Sequence, residues 1–293
     1  MPDRVRVGNA EIAMALDAEF RYAPAQFIPN VDPERWRPYL GGADPADILE
    51  SRVMTYVIRS QGKTILVDTG VGAHGLWRFG DGHLLDSLKE LDVSPEDVDF
   101  VLPTHMHLDH VGWNTLPTPD GPVPTFPRAR YLFQQADWDH FIRPEYLEAA
   151  TDNPMQQRSQ QMLKTTVLPI KDSGLMELIG PERIITDEVT LLHTPGHTPG
   201  SVSILVQSGS EAALLIGDVA HNPAQLTETD WTPAIDVDPS LSARSRKAIV
   251  EQARRLDALV AGGHFNSPGM PAFGRIILMD GRPMWRGVSL QGG

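Results

Sequence analysis

Short apolar runs that stop at a glycine, a histidine or an aspartate recur along this chain. Residues 53–58 and 64–67 flank Arg59-Ser60-Gln61-Gly62-Lys63, and two β-branched runs around a glycine-containing turn predict a hairpin. Its second strand ends in Asp68-Thr69-Gly70. Leu84, Leu85, Leu88 and Leu91 have helical spacing. Ser94-Pro95-Glu96-Asp97 reads as a helix start, with a hydroxyl cap, a proline at the first position and carboxylates in the positive first turn. Residues 100–102 predict a short buried strand that delivers the chain to Thr104-His105. A proline-rich loop over 116–127 precedes a strand at 130–133 and a short helix at 136–142. Residues 145–171, polar and rich in glutamine, are expected to form helix and excursion over one face. Strands follow at 189–192, 201–206 and 213–216, then a helix over 241–256 and a last core strand at 259–261. Residues 276–279 and 284–288, around Asp280-Gly281, predict a closing hairpin.

The pattern is that of a mixed α/β protein in which strands precede most helices. With 41% hydrophobic and 22% charged residues, the 293-residue chain can bury a substantial core. We expect one domain over 1–293, with 1–51 either an N-terminal extension or a loop at the pocket or dimer contact. Net charge is −13, from 25 Lys+Arg against 38 Asp+Glu, which argues against nucleic acid as the main partner. Residues 1–18 lack the apolar core of a signal peptide, and no stretch reaches the ~20 apolar residues that span a bilayer. A cytoplasmic protein without a membrane partner is therefore expected.

Cysteine is absent, which excludes disulfides, thiolate metal sites and a cysteine nucleophile. Any transition metal must be held by histidine and carboxylate. The chemistry gathers in His105-Met106-His107-Leu108-Asp109-His110. After a strand, alternate residues point the same way, so His105 and His107 can grip one ion while Asp109 and His110 face a second. His197 stands in the turn Thr194-Pro195-Gly196-His197-Thr198-Pro199-Gly200, Asp218 follows an apolar strand and Gly217, and His264 follows Gly262-Gly263. Each is the next polar residue after an apolar strand stops or a tight turn begins. His74, His83, His140 and His193 belong to no such pattern and are expected to be structural; Met106 and Leu108 are expected to pack between ligands.

These segments resemble the metallo-β-lactamase superfamily: HxHxDH at 105–110, DTG at 68–70, TPGHTPGS at 194–201, GD at 217–218 and GGH at 262–264, in that family's order. The resemblance covers roughly residues 53–264 and implies a metallohydrolase domain, an αββα sandwich of two mixed sheets with outer helices. It further implies that His105, His107 and His197 hold one divalent ion, that Asp109, His110 and His264 hold the other, and that Asp218 bridges them. Asp68 would stand behind the ligands and orient their rings. Zn2+ is the expected metal, with Mn2+, Co2+ and Fe2+ as alternatives.

From the resemblance follows a hydroxide shared by the two ions that opens a lactone or aryl ester, with Asp109 and His221 as catalytic residues. Residues 222–276 look most like the branch of methyl parathion hydrolase and dihydrocoumarin hydrolases, which implies promiscuous phosphotriesterase activity. Acyl-homoserine-lactone lactonases carry Tyr where His221 stands and, in many cases, a second Gly where Trp113 stands; both departures place such lactones behind other lactones as the expected substrate. An organophosphate hydrolase, a glyoxalase-II-like thioesterase and a non-catalytic metal-binding module are the remaining alternatives. Phe20, Tyr22, Phe27 and Trp36 lie in a proline-spaced stretch suited to a loop over the site, and Trp113 and Phe273 are further candidates for an apolar pocket. The same stretch often pairs subunits in lactonase relatives, so a homodimer is expected.

Overall fold

A computed structural model describes residues 4–44, 46–265 and 270–288; residues 266–269 of the family-like run at 262–276 lie outside it. The first sheet is formed by β1 (Arg4–Val7), β2 (Ala10–Tyr22), β3 (Leu49–Ser60), β4 (Lys63–Val67), β5 (Phe100–Leu102), β6 (Arg130–Gln134) and β7 (Met176–Ile179), side by side in chain order. The second holds β8 (Arg183–Thr186), β9 (Val189–His193), β10 (Val202–Ser208), β11 (Glu211–Leu215), β12 (Leu259–Ala261), β13 (Gly274–Met279) and β14 (Arg282–Gly287). Pairing is antiparallel except from β4 to β7 and between β11 and β12. Parallel neighbours need a crossover. Helix α1 (Leu84–Glu90) lies in the one between β4 and β5, and α2 (Gln135–Phe141) and α3 (Pro154–Thr166) in the one between β6 and β7. Helix α4 (Pro239–Arg255) lies in the one between β11 and β12.

Period-two alternation sorts the side chains into layers. Ile65 and Val67 of β4, with Val202, Ile204 and Val206 of β10, fill the space between the sheets. Leu66 faces outward to Leu84 and Leu88 of α1, and Leu205 and Leu214 face Ile249 and Val250 of α4. Helix, sheet, sheet, helix is the resulting order, the expected αββα sandwich. Among the described residues no helix is long and apolar enough to cross a membrane.

The N-terminal region differs from expectation. Residues 4–22 are not a loop but a hairpin whose second strand pairs with β3 from Glu11↔Arg59 to Tyr22↔Leu49. Its alternation is masked by alanines and by a bulge between Leu16 and Ala18, which inserts Asp17. β7 and β8 were also missed; both are sheet-edge strands with exposed apolar positions such as Ile184, so their pattern is weak.

Candidate metal centre

The parallel strands β4 and β5 end together, as do β11 and β12, and each ending releases a polar residue into one junction. Asp68 N donates to the Leu102 carbonyl, Val202 N to the Thr104 carbonyl and Gly263 N to the Gly217 carbonyl, so the strand-end turns of both sheets are stitched together. Gly263 stands where a Cβ would lie 2.8 Å from Asp218 Oδ1, so the close approach of that turn to the carboxylate requires glycine.

The structure brings all seven expected ligands into one buried cluster. His105, His107 and His197 offer ring nitrogens within 4.8 Å of one another, and a carboxylate oxygen of Asp109 lies equally close to ring nitrogens of His110 and His264. Between them lies Asp218. Its Oδ2 is 3.8 Å from His105 Nε2, 3.4 Å from His110 Nε2, 3.5 Å from His197 Nε2 and 3.3 Å from His264 Nε2. His107 and Asp109 are half-buried and line the adjoining cavity; the other five are buried.

These donors fit a pair of divalent ions. His105 Nε2 and His197 Nε2 approach His107 Nδ1 to 3.0 and 2.9 Å, three imidazole nitrogens pointed at one another. The outward nitrogens are occupied elsewhere: His105 Nδ1 meets Thr104 Oγ1, His197 Nδ1 meets Asp236 Oδ1, His110 Nδ1 lies 2.9 Å from Asp68 Oδ2, and His264 Nδ1 meets the Arg52 carbonyl. A ring protonated on its outer nitrogen presents a lone pair inward, as a ligand histidine must. Among the described residues the buried atoms His110 Nε2 and Asp218 Oδ1 find no hydrogen-bond partner. Buried polar atoms are rarely left so.

The electrostatics divide the rings. Burial, then the neighbouring rings, holds His105 and His107 well below the ordinary imidazole range, neutral and available. Burial also works against charge on His110, but Asp68, Asp218 and Asp109 outweigh it and hold that ring well above the usual value. His264 is likewise raised, by Asp218 and Asp109 against burial. Burial opposes the charge of Asp218, yet His264, His221 and His110 hold its carboxyl well below the usual range. A cation held in this cluster would take the place of the proton that these carboxylates favour on His110 and His264.

Asp68 lies behind His110, and it also accepts from Thr104 N at 2.6 Å and from Thr104 Oγ1 at 3.0 Å. Three buried carboxylates near the cluster, Asp17, Asp137 and Asp236, carry no signal in the sequence. Asp17, in the β2 bulge, accepts from Val71 N, Leu84 N and Trp113 Nε1. Asp137, on α2, accepts from Met106 N, Thr198 Oγ1 and Gly200 N, tying the 105–110 turn to the 194–201 turn. Asp236 faces His197. None carries a local signature, since each matters only through residues remote in sequence.

A cavity of about 550 Å3 opens on the cluster and reaches His107, Asp109, Asp218, His221 and His264. Phe20, Tyr22 and Phe27 line it as expected, but from the end of β2 and a single helical turn (Pro24–Phe27) rather than from an open loop. Phe20 stands edge-on to His264 and Phe27 edge-on to His221. The other three expected lining residues are elsewhere. Trp36 packs in a buried cluster with Trp231, Trp113 is buried with its Nε1 on Asp17, and Phe273 fills the space between the sheets against Tyr56. Leu76, Trp77, Phe79, Tyr146, Met155 and Ile235 supply apolar lining in their place. Of the histidines set aside, His74 binds the Thr115 carbonyl and His193 the Pro199 carbonyl.

The family model of the metallo-beta-lactamase superfamily matches residues 50–264, a span that holds every member of the cluster, and the chain belongs to that superfamily. It is a metal-dependent hydrolase of that fold. Among curated relatives, it is 28% identical over 237 residues to an N-acyl homoserine lactonase of a Bacillus species, covering 75% of this chain and 84% of the relative. It is 26% identical over 190 residues to the N-acyl homoserine lactonase AttM of Rhizobium radiobacter, covering 63% and 64%. Two solved structures superpose with a TM-score of 0.82 over 99% of this chain and 98% of theirs. They are the hydrolase AbOPH, at 21% identity, and AidC, a dizinc quorum-quenching lactonase in complex with a product, at 20%.

Proposed function

We propose that the protein is a dinuclear metal-dependent lactonase whose substrates are N-acyl homoserine lactones. The observation that carries this reading is the largely apolar cavity ending on two ligand triads and a shared carboxylate: room for an acyl chain above a site for carbonyl chemistry. The two curated relatives named above are N-acyl homoserine lactonases, and such lactones are favoured here over the dihydrocoumarin-type lactones and aryl esters first expected. One of the two departures behind that expectation loses its force, since Trp113 is buried against Asp17 and does not line the cavity.

Two divalent ions held in such a centre make hydroxide available at neutral pH and polarise a carbonyl oxygen. Zn2+ suits the histidine-rich donor set. His105, His107 and His197 would hold one ion, Asp109, His110 and His264 the other, with Asp218 between and Asp68 steadying His110. Asp109, half-buried at the cavity floor, orients the attacking oxygen and can carry its proton. His221 lines the cavity with its ring buried and its Nε2 3.0 Å from Asp218 Oδ2, and burial keeps the ring below its ordinary pKa although Asp218 pulls it up. It can therefore offer one N–H to the substrate carbonyl or to the departing oxygen. Overall, the oxygen of water bonds to the acyl carbon, the ring C–O bond breaks, and the leaving alkoxide takes a proton. Phe20, Tyr22 and Phe27 exclude water around the chain.

The test is a substrate panel on purified protein loaded with zinc, manganese or cobalt: acyl-homoserine lactones, dihydrocoumarin, paraoxon, an S-acyl glutathione and a β-lactam. Acyl-homoserine lactones should be turned over fastest, and chelation should abolish the activity until metal is returned. Brisk thioester or β-lactam hydrolysis without lactone turnover overturns the reading.

A further inference from the structure

His197 is gripped from behind by a segment 40 residues further along the chain. Val237 N donates to the His197 carbonyl at 3.1 Å, Asp238 N to the Gly196 carbonyl at 2.9 Å, and Ser245 Oγ to the Pro195 carbonyl at 2.6 Å. Gly196 comes so near α4 that a Cβ on it would lie 2.1 Å from Ser242 N. Inside this clamp, Asp236 Oδ1 lies 2.8 Å from His197 Nδ1. Its other oxygen is buried without a hydrogen-bond donor among the described residues and faces Arg246 Nη2 at 3.8 Å.

Arg246 is fully buried. Its Nε donates to the Val219 carbonyl at 2.7 Å, its Nη1 to the carbonyls of Thr229 and Trp231 at 2.9 and 2.7 Å, and its Nη2 to Ser242 Oγ at 3.1 Å. Val219 directly follows Asp218. One guanidinium thus touches the backbone beside the shared carboxylate and faces the carboxylate that holds His197. Desolvating a full positive charge is costly, and such charges persist where their donors are used in fixed directions.

We propose that Asp236 and Arg246 are a positioning pair for the metal centre, an inference that rests on the metal-centre reading above. Asp236 keeps His197 protonated on Nδ1, with Nε2 turned to the ions. Arg246 keeps Asp236 and the Asp218 turn in register, so that ligands from two different strands hold their spacing. Neither residue reaches the cavity lining, and their effect passes through His197 and Asp218.

Two readouts test this without substrate. In metal-free protein, nitrogen-15 NMR of the wild type should show His197 in a single Nδ1–H tautomer. Asp236→Asn, whose amide both donates and accepts, should show mixed tautomers. In cobalt titrations followed by visible absorption and metal content, Asp236→Asn should still take up two ions but bind the one on His197 roughly 10–100-fold more weakly. Arg246→Lys, which keeps the charge and loses the fork, should weaken that ion less and leave the tautomer intact. A single Nδ1–H tautomer and unchanged cobalt affinity in Asp236→Asn would overturn the proposal. Asp236→Asn is nearly isosteric, so it decides the matter even should Arg246→Lys fail to fold. A wild type that binds no cobalt removes the metal-centre reading, whereas the tautomer measurement still decides what Asp236 does.

Discussion

His221 Nε2 lies 3.0 Å from Asp218 Oδ2, the oxygen on which the ligand rings converge, and the His221 ring stacks on His264 at 5.6 Å between centroids. A ring so placed touches both the centre and the cavity. Replacing it by phenylalanine keeps the packing against Phe27 and removes the N–H. His221→Phe should lower kcat for lactones by about 100-fold or more, in line with the loss of a general acid. Its metal content should match the wild type. Steady-state kinetics beside elemental analysis checks both; an unaltered kcat removes His221 from the reaction.

Chain-length preference should depend on the residues that line the cavity, not on those packed elsewhere. Phe20→Ala should raise KM for long-chain acyl-homoserine lactones by about tenfold, since truncating an apolar wall forfeits on the order of 1–2 kcal/mol of contact, and should change short-chain KM little. Trp113→Phe should leave the chain-length profile alone and lower stability instead, because it takes a donor from Asp17. A shifted profile in Trp113→Phe would contradict its placement away from the cavity.

Asp17 serves three buried donors at 2.6–2.8 Å. Asp17→Ala leaves Val71 N, Leu84 N and Trp113 Nε1 with no acceptor, at about 1–3 kcal/mol for each group left unsatisfied. A loss of roughly 3 kcal/mol or more in urea unfolding is expected. A loss under about 1 kcal/mol would mean that water replaces the carboxylate there.

Asp137 supplies a pH dependence. Burial pushes its carboxyl up to about 6, although the Thr198 hydroxyl and the amides of Gly200 and Met106 pull it down. The folded state therefore holds a proton that the unfolded chain has released, between its unfolded value near 3.8 and about 6. Relative to Asp137→Asn, wild-type stability should fall as pH rises from about 4 to 6, by roughly 3 kcal/mol at most, and stay level above. Denaturant melts of both proteins across that range check the sign, and a rising difference contradicts it.

The seven residues that cluster at the strand ends are legible in the sequence because their local grammar is strong. An apolar strand stops, a glycine lets the backbone through, and a histidine or aspartate comes next, as at Gly217-Asp218 and Gly262-Gly263-His264. The residues behind the ligands obey no such grammar. Asp17 sits in a bulge, Asp137 in a helix and Asp236 in a loop, and each is defined by donors 30 to 100 positions away. Aromatic residues were equally ambiguous, since Phe20 and Trp36 look alike in sequence while one lines the cavity and the other packs on Trp231. β2 was hidden by its alanines, its partner strand being the clearer half of the pair.

The first sheet is made wholly from residues 4–179 and the second from 183–287, and the cluster straddles their seam. His105, His107, Asp109 and His110 belong to the earlier half of the chain, and His197, Asp218 and His264 to the later. Neither half owns a complete set of donors for both ions. Metal held by both sets of donors would act as a rivet, since drawing the halves apart would strip each ion of part of its ligands. Free metal concentration should accordingly tune the resistance of the whole molecule to heat, not merely its turnover.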